Sequence, residues 1–172
     1  MNKLIKLTLV TFIVCSFNLA AEESSKINNI NFADRIEEFS LDNGLEVILI
    51  KDNRSNNVVS SIWYRVGSSY EYEGITGISH LLEHMMFKGT ENFAAGEFSS
   101  AIKKIGGTEN AFTGRDFTGY YQKVDNEFLS TCLKYEADRM TNLRLTNDDL
   151  TSKREVVKEE RRLRTEDQPV SV

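Results

Sequence analysis

Two histidines and a glutamate lie within five residues of each other. His80 and His84 are the only histidines in the chain, and Glu83 lies between them. Residues four apart in a helix are one turn apart, so both imidazoles project from one face and can bind a single cation. Glu83, three residues after His80, shares that face. The H-x-x-E-H spacing therefore predicts a metal site with a carboxylate beside it.

Peptide hydrolysis is the chemistry that such a site performs. Zinc activates a water molecule and polarises a carbonyl, while Glu83 takes a proton from that water and delivers it to the leaving amine. The alternative is that both histidines form hydrogen bonds inside a core. Two histidines fall four apart by chance with a probability on the order of 1%. We therefore favour zinc as the cofactor, His80 and His84 as ligands and Glu83 as the catalytic base.

A third zinc ligand is expected, because catalytic zinc usually has three protein ligands and one water. No histidine remains, so the ligand should be a carboxylate. Glu160 falls near the centre of an apolar stripe on the last predicted helix, and Glu159, at the edge of the stripe, is the alternative. The stripe consists of Leu150, Val156, Val157 and Leu163. Three other carboxylates remain open, namely Glu91, Glu97 and Glu109.

A buried helix over residues 78–87 is predicted to carry the motif, since apolar residues surround most of its circumference. Gly89 is expected to form its left-handed C-terminal cap. Before this helix, the sequence predicts a hairpin around Asp42, Asn43 and Gly44 and a third strand. After it, the expected order is helix, strand, strand, helix, helix. The predicted bounds are 38–41, 45–50 and 58–66 for the first strands, 97–105, 108–113 and 117–124, then 126–143 and 148–164. This order predicts an α+β fold with a largely antiparallel sheet packed with helices.

The first 21 residues resemble a secretory signal peptide, because Lys3 and Lys6 precede a short apolar run. Residues 22–31 are predicted to be a linker, and residues 32–172 the folded domain. Export, most simply to a periplasm, is therefore expected, with membrane attachment only if the signal stays uncleaved. The net charge of −5 argues against nucleic-acid binding. Cys132 lies in an apolar helical pattern and is predicted to be a core residue.

The segment GISHLLEHMMFKGT, residues 77–90, resembles the signature of the pitrilysin or insulinase family, which includes the mitochondrial processing peptidases. The order of histidine and glutamate is inverted relative to the H-E-x-x-H proteases. Residues 106–113, GGTENAFT, with Asp116, Tyr120 and Tyr121, resemble the glycine-rich strand segment of the family. Residues 154–160, REVVKEE, resemble the segment that holds its glutamate ligand. The resemblance covers roughly residues 32–170.

This resemblance implies zinc-dependent endopeptidase activity on a peptide or unfolded protein. It also implies that Glu160, which lies 76 residues after His84, is the third ligand. Asn110 and Ala111 are expected on an edge strand where an extended substrate pairs with the backbone, although from the sequence alone Asn110 could equally be a turn residue. Many relatives have an acidic residue where this chain has Lys153, so the surroundings of the metal are expected to differ.

Members of the family are long chains in which two similarly folded halves enclose the substrate. The present chain resembles the N-terminal half-domain and is expected to be incomplete at its C-terminus. A second homologous domain or subunit is therefore the expected partner. Two other interpretations stay open: a non-catalytic subunit that binds a peptide or partner without cleaving, and a truncated fragment.

Overall fold

A computed structural model describes residues 35–163. The predicted signal peptide and linker lie outside the described residues. The chain divides into two compact units, with the boundary between Ser55 and Asn56. The first unit contains a β-hairpin, in which β1 (Ile36–Ser40) pairs antiparallel with β2 (Glu46–Ile50). Gly44 in the turn has a φ of +82°, a conformation that glycine adopts without strain. The predicted hairpin is thus confirmed.

The second unit contains an antiparallel sheet of three strands. These are β3 (Asn57–Tyr64), β4 (Thr108–Thr113) and β5 (Thr118–Asp125), in the order β3-β5-β4. The central strand β5 is buried over most of its length, whereas β4 alternates between exposed and half-buried residues. Because β5 lies between β3 and β4 in the strand order, β4 forms one edge of the described sheet.

Within residues 35–163, four helices accompany the strands, which confirms the α+β class. They are α1 (Ile78–Met85), α2 (Glu97–Lys104), α3 (Leu129–Asn142) and α4 (Asn147–Arg161). Short 3-10 turns precede α1 at Ser68–Tyr70 and α3 at Asn126–Phe128. The hydroxyl of Thr146 accepts a hydrogen bond from the Asp149 N–H at 3.1 Å and caps α4, which begins one residue before the predicted start at 148.

The prediction for Gly89 is wrong, because its φ is not positive. A Cβ on Gly89 would lie 2.9 Å from the carbonyl oxygen of Phe93. This glycine therefore permits a close approach of two backbone segments. The left-handed glycines at the ends of α1 and α2 are instead Gly77, Gly96 and Gly106.

A small apolar core joins the sheet to α2 and α3. Ile102, Val124 and Cys132 are at most 2% exposed, and Phe98 and Phe128 pack against them. Burial of each such aliphatic side chain contributes roughly 1.5–3 kcal/mol to stability. The predicted core position of Cys132 is confirmed, and burial raises the pKa of its thiol.

A buried ion pair lies beside this core. Glu136 and Arg139 are both almost fully buried on α3, and the Glu136 carboxylate also accepts a hydrogen bond from Gln122 on β5 at 2.6 Å. The Arg139 guanidinium lies over the ring of Tyr120 at 4.5 Å and over Phe87 at 5.5 Å. The pair thus connects α3 with β5 and with the segment that follows α1.

Two expectations about burial are wrong. α1 is not buried on all sides, since Met85 is buried but Ile78 and Leu82 are 49% and 42% exposed. The apolar stripe on α4 is also largely exposed, at Leu150, Val156 and Leu163. The described residues cover only one side of α1 and of α4, whereas the sequence has apolar residues on several sides of these helices. Within residues 35–163, no helix is both long and apolar enough to cross a bilayer.

Candidate metal centre

The two histidines of α1 point to one location. Their Nε2 atoms are 3.1 Å apart, and the ring centroids are 4.8 Å apart with planes inclined at 69°. This is the arrangement that the four-residue spacing predicts. Both rings are half-buried, because α4 packs across this face of α1.

Glu160 on α4 completes a cluster of three donors. Its Oε2 lies 3.3 Å from the Nε2 of His80, and its Oε1 lies 3.6 Å from the Nε2 of His84. Tetrahedral ligands about 2.0–2.1 Å from a zinc ion lie roughly 3.3 Å from each other. The observed separations of 3.1, 3.3 and 3.6 Å, the last two measured to different oxygens of Glu160, are close to that value, so the donor set fits zinc in both chemistry and spacing.

The other carboxylates considered from the sequence lie elsewhere. Glu159 forms hydrogen bonds with Arg162, and the Glu97 carboxylate accepts a hydrogen bond from the Ala94 N–H. Glu109 lies on β4, and one of its oxygens is buried and has no hydrogen-bond partner among residues 35–163. Among the described residues, the cluster with metal-binding potential consists of His80, His84 and Glu160, without Glu91, Glu97, Glu109 or Glu159.

The surroundings of His84 favour the neutral imidazole. Burial has the largest effect and lowers its pKa, the Glu160 carboxylate opposes this shift, and His80 and Lys153 reinforce it. The pKa of His84 therefore lies below 6.5, and the ring is unprotonated at neutral pH, as a zinc ligand must be. Lys153 is half-buried and lies seven residues before Glu160, on the same face of α4.

Glu83 contacts the sheet rather than the donor cluster. The hydroxyl of Thr113, the last residue of β4, donates a hydrogen bond to Glu83 Oε2 at 2.5 Å. A hydrogen bond to a carboxylate is stronger than one between neutral groups, so it restricts the carboxylate to one orientation. Glu83 thereby lies at the junction of α1 and the edge strand.

The N-terminus of α1 is held by a residue from the preceding loop. Gly77 is the N-cap residue and has no side chain with which to cap the helix. The Glu71 carboxylate accepts hydrogen bonds from the N–H groups of Gly77 at 2.7 Å and Ser79 at 2.8 Å. Burial raises the pKa of Glu71, but these two donors lower it by more, so it lies below its usual value. The negative charge of Glu71 also complements the positive end of the α1 dipole. The second of its two donors, the Ser79 N–H, is one residue before His80.

An open cleft of about 430 Å³ lies beside these groups. Its walls include His80, Glu83 and Ala111, together with Glu71 and Arg115. Ala111 thus faces the candidate centre from the edge strand.

Asn110 belongs to β4 and not to a turn. Its side chain is exposed, and its Oδ1 accepts a hydrogen bond from the Ala111 N–H at 2.9 Å. Because β4 is an edge strand, its position suits the pairing with an extended peptide that was predicted for Asn110 and Ala111. An incoming peptide would compete with the Asn110 side chain for the Ala111 N–H.

Two contacts of the site were not predicted from the sequence. Thr113 reaches Glu83 only because the fold brings β4 against α1, which no local pattern reveals. Only a weak indication of the capping role of Glu71 was present in the sequence. A helix that begins after glycine lacks a capping side chain, so its first N–H groups need another acceptor.

A family model described as Insulinase (Peptidase family M16) matches residues 46–171. The zinc protease PqqE of Helicobacter pylori is 38% identical over 83% of this chain and 32% of its own length. The uncharacterized zinc protease YmxG of Bacillus subtilis is 36% identical over 73% of this chain and 31% of its own length. The chain therefore spans about a third of the length of these relatives.

Solved structures of proteases resemble the fold. A protease from Helicobacter pylori superposes with a TM-score of 0.75 and 40% identity, covering 78% of this chain and 32% of that structure. Pitrilysin superposes with a TM-score of 0.68 and 29% identity, covering 74% of this chain and 14% of that structure.

Proposed function

The chain belongs to the insulinase family of peptidases, family M16, and we propose that it carries the metal centre and catalytic base of a zinc-dependent metalloendopeptidase. The observation that supports this most is the close approach of the two Nε2 atoms of His80 and His84 and the carboxylate of Glu160. Three protein ligands leave one position for water or substrate, which is the composition of a catalytic site rather than a structural one.

His80, His84 and Glu160 would hold the ion. When bound there, zinc lowers the pKa of a water molecule and polarises the carbonyl of the scissile peptide bond. The neutral state of the His84 ring supports this role.

Glu83 would act as the proton carrier. Its carboxylate takes a proton from the attacking water and then gives it to the nitrogen of the leaving amine. The hydrogen bond from Thr113 occupies Oε2, so Oε1 is the oxygen available for this transfer. Because Glu83 faces the same cleft as His80, the base and a metal ligand adjoin one substrate-sized space.

The substrate would be a peptide or an unfolded protein in an extended conformation. The free edge of β4 offers backbone groups at Asn110 and Ala111, and Ala111 lies on the cleft wall. Pairing along this strand would position a peptide bond near Glu83. We further propose export to a periplasm through residues 1–21.

Activity would require a second homologous domain or subunit that completes the substrate chamber. The exposure of Ile78 and Leu82, two apolar residues on the helix that carries the motif, supports a further covering element.

Zinc binding and hydrolysis can be tested separately with two variants. Glu83→Gln should retain zinc at one ion per chain, measured by elemental analysis, and should lose peptide hydrolysis. His80→Ala should lose both. Hydrolysis at an unchanged rate in Glu83→Gln would contradict the proposal. Peptide binding with zinc present but without cleavage, in the assembled protein, would instead support a non-catalytic subunit.

A further inference from the structure

The turn after β4 is fastened to the loop that precedes α1. The Ser68 N–H donates to the Gly114 carbonyl at 3.1 Å, and the Ser69 N–H donates to the Arg115 carbonyl at 2.8 Å. The Ser69 hydroxyl also donates to Asp116 Oδ1 at 2.9 Å. Two hydrogen bonds thus fix the backbone of this turn at Gly114 and Arg115, and a third holds the side chain of Asp116.

Gly67 permits this close approach. A Cβ at position 67 would lie 2.5 Å from the carbonyl oxygens of both Gly114 and Arg115, closer than nonbonded atoms can come. The turn is therefore packed directly against backbone. Position 115 consequently has a defined place at the mouth of the cleft.

The side chain of Arg115 contrasts with its fixed backbone. It is exposed and lines the cleft that contains His80 and Glu83. Within residues 35–163, its guanidinium makes no hydrogen bond or ion pair. The carboxylates on the same walls are already engaged, Glu71 by two N–H groups and Glu83 by Thr113. Arg115 therefore offers five N–H donors that no described carboxylate uses.

We propose that Arg115 is a specificity-determining residue that binds a carboxylate of the peptide substrate. This inference rests on the proposed function. A guanidinium presents a planar fork that matches a carboxylate with two parallel hydrogen bonds. The carboxylate comes from an aspartate or glutamate side chain, or from a free C-terminus, and both sources offer the same chemistry.

The position of that carboxylate follows from the register of the edge strand. Thr113 contacts Glu83, and Arg115 is two residues further along the chain. An extended peptide beside β4 advances about 3.3 Å per residue. The carboxylate that reaches Arg115 thus lies about two or three residues from the cleaved bond, on the side that faces the β4–β5 turn.

Peptide binding to the full chain in a Glu83→Gln background tests this proposal without hydrolysis. Matched fluorescent peptides carry Glu, Gln or Lys at one position at a time, each with an amidated or a free C-terminus. The expected result is roughly tenfold tighter binding of the Glu peptide than of the Gln peptide at one position, since charged hydrogen bonds contribute more than neutral ones. A gain that depends only on the free C-terminus would identify that group as the source.

Three substitutions assign the effect to Arg115. Arg115→Gln should abolish the preference and leave binding of the Gln peptide unchanged, whereas Arg115→Lys should retain part of it. The matched control is Arg144→Gln, since Arg144 is an exposed arginine outside the cleft wall, and it should keep the full preference. Thermal unfolding of each variant shows that the fold is retained.

Two outcomes would overturn the inference: equal binding of Glu and Gln peptides at every position, or a full preference in Arg115→Gln. Absence of all peptide binding would also overturn it. These results are separable from the proposed function. Cleavage of peptides by the unmutated, assembled protein without charge preference refutes the role of Arg115 alone, whereas charge-selective binding by that assembled protein without cleavage refutes the peptidase proposal alone.

Discussion

Thr113 donates a hydrogen bond to Glu83, so the last residue of the edge strand is connected directly to the proposed catalytic base on α1. The same strand carries Ala111 on the cleft wall. A substrate paired along β4 would therefore be held by the element that also orients the base. This coupling between substrate position and proton transfer leads to the first prediction.

Replacement of Thr113 by valine should lower kcat by roughly tenfold. Removal of a hydrogen bond to a charged group costs about 1.5–3 kcal/mol, and water in the open cleft recovers part of this free energy. Valine has nearly the shape of threonine, so packing is preserved. Thr113→Ser retains the hydroxyl and should retain most of the rate. Steady-state kinetics with bound zinc quantified in each sample provide the measurement, and an unchanged kcat in Thr113→Val would show that the contact does not orient the base.

Glu160 and Glu159 provide a matched pair for the third ligand. Glu160→Gln should weaken zinc binding by at least about 100-fold, because a charged ligand is lost from a site of three. Glu159→Gln should have no effect, since Glu159 contacts Arg162 on the outside of the helix. Competition with a chromophoric chelator measures both affinities. Equal zinc affinities in the two variants would remove Glu160 from the proposed ligand set.

The sequence predicted the parts of this molecule that depend on local spacing. The strands, the helices and the common face of His80 and His84 follow from periodicity within one element. Glu160 was predicted from an apolar stripe that was expected to be buried, whereas Leu150, Val156 and Leu163 of that stripe are exposed. Glu160 lies beside the histidines because of its position along α4, which packs against α1. It is two helical turns after Lys153. Contacts between distant segments, such as Thr113 with Glu83, depend on the tertiary fold and have no local pattern.

The capping role of Glu71 predicts a pH-dependent contribution to stability. The pKa of Glu71 is lowered in the folded chain, so the folded state favours its charged form. Its contribution is fully present above the unfolded pKa of 4.5 and is lost as the pH falls through the lower folded pKa. Glu71→Gln should therefore unfold about 1 kcal/mol more easily at pH 7, a typical capping energy, and equally easily at a pH below the folded pKa.

Urea unfolding of both proteins at several pH values measures this difference. Glu73→Gln is a suitable control, because Glu73 is an exposed carboxylate in the same loop. A constant difference between the Glu71→Gln and parent proteins at all pH values would show that the charge of Glu71 does not stabilise α1.

The buried pair of Glu136 and Arg139 should respond very differently to single and double substitution. Arg139→Met leaves the Glu136 carboxylate buried without its cation and should cost about 3–5 kcal/mol. The double variant Glu136→Leu with Arg139→Met removes both charges and should recover much of that loss, although Gln122 then loses its acceptor. Chemical denaturation gives both values, and a double variant less stable than Arg139→Met would show that the unpaired Glu136 carboxylate is not what destabilises Arg139→Met.

Lys153 should weaken zinc binding. Its ammonium group lies on the face of α4 that carries Glu160 and is close enough to lower the pKa of His84.

Two opposing effects follow from the removal of the Lys153 ammonium group. The pKa of His84 would rise, which favours proton binding over metal binding, and the repulsion between the ammonium and a dication would disappear. At pH 7.5 the first effect is small, because the pKa of His84 is below 6.5 in the parent protein. The second effect therefore decides the sign.

Lys153→Gln should consequently bind zinc about three- to tenfold more tightly at pH 7.5, as expected for removal of one charge at an effective dielectric constant near 20. Lys158→Gln is the matched control, since Lys158 is exposed and pairs with Glu155. The gain should shrink at high ionic strength and as the pH approaches 6, where protons compete for His84. Chelator competition at two pH values measures all of these effects. Weaker zinc binding in Lys153→Gln at pH 7.5 would show that Lys153 supports the ligands and does not repel the ion.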